Sequence, residues 1–133
     1  MIPETWTSWT LAVLRIVAAL LFLEHAFMKF FAFPAPVPGV PHPLPAMIVA
    51  AGTIELVAGI FVTIGLFTRI VSFVAAGEMA VAYWLAHAPQ GLWPVLNMGE
   101  PAILFCFVFL HIAAAGPGAW SIDGMRGTAH SGA

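Results

Sequence analysis

The chain has 133 residues, of which 62% are apolar and only 8% charged, with a formal net charge of −2. A soluble domain carries roughly 25% charged residues and must cover most of its surface with polar groups, so a surface this poor in charge has to meet lipid. The slight negative balance offers no basic patch to nucleic acid, and the single cysteine, Cys106, excludes an internal disulfide or a dithiol redox pair.

A helix crosses a bilayer with about 20 mostly apolar residues, in a range of roughly 17–25. Four segments have that length: about Trp9 to Phe31, Pro45 to Phe67, Ile70 to His87 and Gly99 to Ala115. None alternates with period two, so the fold class is all-α, a four-transmembrane-helix bundle. The first run has no basic residues ahead of Leu11 and no small-residue cleavage site after it, and so reads as a retained span rather than a leader. Between spans one and two, the prolines of a loop from about Ala32 to Leu44 forbid a helix. Thr68 and Arg69 make a tight turn between spans two and three, Ala88 to Met98 joins three and four, and Gly116-Pro117-Gly118 stops the fourth. Residues 1–126 form one membrane domain, and 127–133 are expected to be a disordered tail. Arg15, Arg69 and Arg126 fall toward the termini and Lys29 toward the loops, so the positive-inside rule puts both termini in the cytoplasm. Trp6, Trp9, Trp84 and Trp93 suit the two interfaces.

Ionisable residues inside spans are costly and usually face the bundle interior. At about 100° per residue, Arg15, Ala18, Phe22, His25 and Lys29 share one stripe of the first helix, with Glu24 on nearly the opposite side. Glu55 lies on a stripe with Gly52 and Gly59, and Glu78 is flanked by Ala75 and Ala82, small-residue faces that let helices approach. Glu100 and His111 fall about 20° apart on the fourth helix with Phe107 between them. Counting depth at about 1.5 Å per residue, Lys29 and Glu100 lie near the loop-side entrance, with His25, Glu55 and Glu78 deeper and His111 near the midplane. One cation and three carboxylates converging there cannot all carry charge in a low dielectric. The site can bind a polar head group, pass protons, or both. A plainer reading makes Lys29 and Glu55 a buried ion pair that only holds helices in register. His42, in the proline-rich loop, reads as solvated. Asn97 and His87 stand near the entrance with Glu100.

Several stretches together are familiar: Leu14-Arg15, His25 and Lys29 spaced as H-x-x-x-K, Ile54-Glu55-Leu56 with Gly59, Gly65 to Arg69, Met79, His87 to Gly91, Asn97 with Gly99-Glu100, and Ala115 to Asp123. In order and spacing they resemble the DoxX family of small four-helix membrane proteins, over nearly the whole chain to Asp123. The resemblance implies a bacterial or archaeal plasma (inner) membrane protein. The family takes its name from the small subunit of a thiosulfate:quinone oxidoreductase, and other members associate with oxidative-stress or thiol-detoxification proteins.

The leading expectation is therefore a redox-associated subunit that binds a quinone or similar small molecule. Lys29 and His25 would hydrogen-bond a carbonyl oxygen, Glu55 and Glu100 would manage protons with His25, and Glu78, Asn97 and His111 would complete the binding site. Electrons must come from a redox partner protein or a bound cofactor. A haem or metal site is the weaker alternative, because the chain has no Glu-x-x-His pair of the carboxylate-bundle type and His25 and His111 differ in depth. A third reading is a transporter or an assembly partner, as a homo-oligomer or with another membrane protein, the lone Glu24 meeting a neighbouring chain.

Overall fold

The computed structural model describes residues 1–131. Its elements in chain order are α1 (Glu4–Phe31), α2 (Ala46–Ile64) and α3 (Thr68–Ala82), which runs on through a π-helical turn (Tyr83–His87) and a 3-10 turn (Ala88–Gln90); then α4 (Pro94–Asn97), α5 (Glu100–Ala115) and α6 (Ile122–Ser131). No strand occurs among the described residues. Three helical stretches, Glu4–Phe31, Ala46–Ile64 and Thr68–Gln90, are long and apolar enough to cross a membrane, and α5 is a shorter apolar helix of 16 residues.

Helix α1 begins several residues before the expected Trp9. Pro3 lies just outside it, where a missing N–H costs nothing, and Glu4 sits in a first turn that favours negative charge. Polar residues hid that start, but Thr10 turns its hydroxyl back onto the Trp6 and Thr7 carbonyls at 2.9 and 3.1 Å and stays helical. The helix stops where Ala32 turns left-handed and donates its N–H to the Phe27 carbonyl. Helix α2 ends at Gly65, whose φ of +70° suits glycine and whose missing side chain leaves room for Ser121: a Cβ there would stand 2.4 Å from the serine Cβ. The tail differs from the sequence expectation, since α6 continues through Gly127 to Ser131; residues 132–133 of the expected disordered segment lie outside the described residues.

α1 packs on α2, α2 on α3, α3 on α5, and α5 back on α1, closing a ring. The interior is built from small residues around one aromatic cluster. Phe22 of α1 sits between Phe105 and Phe109 of α5, with ring centroids 5.8 and 4.8 Å away, while Ala18, Ala19, Ala58, Ala75 and Ala76 bring the backbones close. The perimeter is apolar: Val13, Val17, Leu20, Ile60, Phe73, Leu104 and Phe107 are all exposed. A contiguous apolar surface of this kind belongs against lipid.

Candidate functional site

Near the loop-side end, α1 and α2 bring a lysine and a glutamate face to face. Lys29 Nζ lies 2.8 and 2.7 Å from the two Glu55 carboxylate oxygens, and the side chains are 13% and 3% exposed. Gly52, one turn before Glu55, makes the passage for the lysine. A Cβ at Gly52 would stand 3.2 Å from Lys29 Cδ and 2.9 Å from the Phe30 ring. An ammonium has three donors, so Glu55 takes two and one remains.

α3 contributes Glu78 beside this pair, half-buried and near enough to feel the charges of Glu55 and Lys29. Its Oε2 is shielded from solvent and has no hydrogen-bond partner. His25, one turn below Lys29 on α1, lies within electrostatic reach of the lysine and sets its ring edge-on to Phe105 at 5.8 Å. The convergence read from helical spacing thus holds for Lys29, Glu55, Glu78 and His25.

It does not hold for α5. Glu100 and His111 are exposed and make no hydrogen bond or ion pair with the other four. They do share a stripe with Phe107, as their spacing requires, but that stripe faces outward: Phe107 is 63% exposed, whereas Phe109 and Ile112 are fully buried. The stacking of Phe109 and Phe105 against Phe22 sets the rotation of α5 and carries the two ionisable residues to the opposite side. Asn97 is buried, yet not as part of the cluster. Its Nδ2 donates to the Gly91 carbonyl at 2.9 Å and its Oδ1 accepts the Gly99 N–H at 2.8 Å, while its own carbonyl lies 3.0 Å from His87 Nδ1. These bonds pin the loop ahead of α5 and use the amide up. Glu24 is exposed, as its place opposite the stripe predicts. Among the described residues no group of three His, Cys, Asp or Glu side chains is placed to hold a metal ion.

Above the ion pair lies a cleft of about 250 Å³ between the end of α1 and the proline-rich loop, lined by Lys29, Phe30, Val37, Val40, His42 and Leu44 among others. His42 is exposed, as its place in the proline-rich loop predicts, and its position on the cleft is what spacing along helices does not show. The one available signal was connectivity: a loop joining two adjacent helix ends has to pass over them.

The other end of the bundle holds a second polar centre. Arg15, fully buried, donates to the Pro117 carbonyl and to those of Ala119 and Trp120 at 3.1 and 2.7 Å. Arg69 donates to the Ala113 and Ala114 carbonyls in the last turn of α5. Asp123 accepts the N–H groups of Phe67 and Thr68 at 2.9 and 2.8 Å, capping α3 from a distant part of the chain. Burial pushes the Asp123 carboxyl up, but the hydrogen bonds from Thr68 and Phe67 and the nearby Arg126 charge outweigh it and hold the group below its ordinary value.

The sequence matches the family model DoxX over residues 10–88. It is 39% identical over 127 residues to a protein of Haemophilus influenzae described as "Uncharacterized protein", the match covering 90% of this chain and 92% of the relative. No solved structure matches the chain.

Proposed function

The chain belongs to the DoxX family, and from that premise we propose that it is a plasma-membrane protein of four spans that serves a redox system by binding a quinone or similar small molecule at the Lys29–Glu55 pair. Both termini are cytoplasmic in this reading, because Arg15, Arg69 and Arg126 lie at the terminal end. The observation that carries the proposal is the lysine itself. It is mostly shielded from solvent, bound bidentately by a carboxylate, and still has one donor to offer beside an apolar cleft. Glu78, with a buried oxygen lacking a partner, and His25 stand behind it as groups able to hold or release protons. Reducing a quinone to the quinol takes two electrons and two protons. The electrons come from a redox partner protein or a bound cofactor.

Native mass spectrometry of the detergent-solubilised protein tests this directly. The wild-type chain retains a small lipid-like ligand, Lys29→Ala and Glu55→Ala lose it, and Glu24→Ala keeps it. Equal retention by all three variants would sink the assignment.

A second reading has its own observation. Glu24, Glu100 and His111 all face outward and make no hydrogen bond or ion pair among the described residues. An ionisable side chain facing lipid in mid-membrane costs on the order of 3 kcal/mol, so Glu24 and His111, which lie inside their helices, favour a protein neighbour, a second copy or another membrane protein. The same mass spectra report it as subunit count.

A further inference from the structure

Lys29 is the residue that links the buried ion pair to the loop-side cleft, and the chemistry of the cleft wall says what fits there. The prolines of the loop shape that wall. Val37-Pro38-Gly39-Val40 forms a turn with Pro38 second and Gly39 third at φ +74°, closed by the Val40 N–H on the Val37 carbonyl at 3.4 Å. The turn leaves both valines partly buried on the cleft. His42 follows between Pro41 and Pro43, where fixed backbone angles on either side limit its freedom before anything binds.

Phe30, Val37, Val40 and Leu44 make the cleft walls apolar, and the two polar side chains on it, Lys29 and His42, come from different elements. His42 makes no side-chain hydrogen bond among the described residues, so both ring nitrogens are available. A volume of about 250 Å³ falls below the roughly 300–1,000 Å³ of sites for drug-sized ligands. It admits one ring, and any long tail has to leave past exposed Phe31 and Phe33 toward lipid.

Resting on the function proposed above, we infer that the cleft holds a single planar ring with oxygen acceptors on two edges, one accepting from Lys29 Nζ and the other from His42. His42 is the specificity residue: it separates a ring with two acceptors from a plain hydrocarbon of the same size. Among the cleft's lining side chains, Lys29 and His42 are the two able to donate a hydrogen bond to such a ring.

The test uses the full chain in detergent with two probes, a decyl-tailed benzoquinone and decylbenzene, read by quenching of tryptophan fluorescence or by calorimetry. Wild-type protein binds the benzoquinone more tightly than decylbenzene. His42→Phe weakens the benzoquinone about tenfold, as loss of one hydrogen bond predicts, and leaves decylbenzene unchanged. His42→Gln, which keeps a donor, restores most of the difference. Unchanged benzoquinone affinity in His42→Phe, together with loss in Lys29→Met, overturns the role of His42 and leaves the Lys29 reading standing. No preference for the benzoquinone in the wild type overturns both.

Discussion

The two ends of this bundle use charge in opposite ways. At the terminal end Arg15 and Arg69 aim their terminal guanidinium nitrogens at main-chain carbonyls, leaving Arg15 Nε without a partner, and Asp123 spends both oxygens on main-chain N–H groups, so side-chain charge is used to close helix ends and turns. At the loop end side chains meet side chains. Lys29 and Glu55 pair, one lysine donor is left over, and Glu78 Oε2 finds no partner. A charge clamped to backbone can do little but hold the fold, whereas a cluster with unused donors and acceptors can take a ligand. Burial alone therefore does not mark a site: Arg15 is the most deeply buried charge among the described residues, yet its guanidinium is turned to main-chain carbonyls.

That contrast is most easily broken at Arg15. Arg15→Leu strips the partner from three carbonyls and should destabilise the protein by about 3–5 kcal/mol, in the range seen when a buried charged network loses one member. Thermal unfolding followed by circular dichroism in detergent measures it, and ligand retention at low temperature should survive. The loop end should answer in reverse. Glu55→Leu alone leaves a buried ammonium unpaired and should cost about 3 kcal/mol, but the double variant Lys29→Met/Glu55→Leu should melt within about 1 kcal/mol of wild type, since apolar replacement of a buried ion pair is often neutral. The double variant should nevertheless retain no ligand. A double variant as unstable as Glu55→Leu would make the pair a staple like Arg15.

Smaller effects sharpen the terminal end. Asp123→Asn weakens the cap on α3 and should cost about 1 kcal/mol near neutral pH. Because the Asp123 carboxyl is held below its ordinary value in the fold, it binds its proton more readily in the unfolded chain. Its stabilising contribution is thus complete above the unfolded value near 3.9 and disappears as pH falls through the lower folded value. Acid titration of the melting temperature should show this loss in wild type and not in Asp123→Asn. The smallest effect is expected at His111→Leu, which should leave ligand retention unchanged and alter at most the subunit count.

Much of this was legible in the residues. Long apolar runs announced the helices, and the 3.6-residue period placed Lys29, Glu55, Glu78 and His25 together because small residues beside them left few other ways to pack. The same period located the Glu100–His111 stripe but carried no information on which way it points. Direction came from Phe22, Phe105 and Phe109, a contact between α1 and α5 that periodicity within either helix does not contain. Asn97 and His42 were opaque for a related reason. Their positions are set by loop closure, and nothing local distinguishes an asparagine that holds a turn from one that meets a ligand.

One further consequence follows from the length of α5. Sixteen residues reach about 24 Å, several ångströms less than a hydrocarbon layer of about 30 Å. If α5 spans, it draws the headgroups inward along its own flank, and the leaflets pinch there while the longer α1 beside it keeps them apart. A four-span bundle of this shape would sit in a wedge of uneven membrane thickness, with water and lipid phosphates nearer to the outward His111 than its count along the helix suggests.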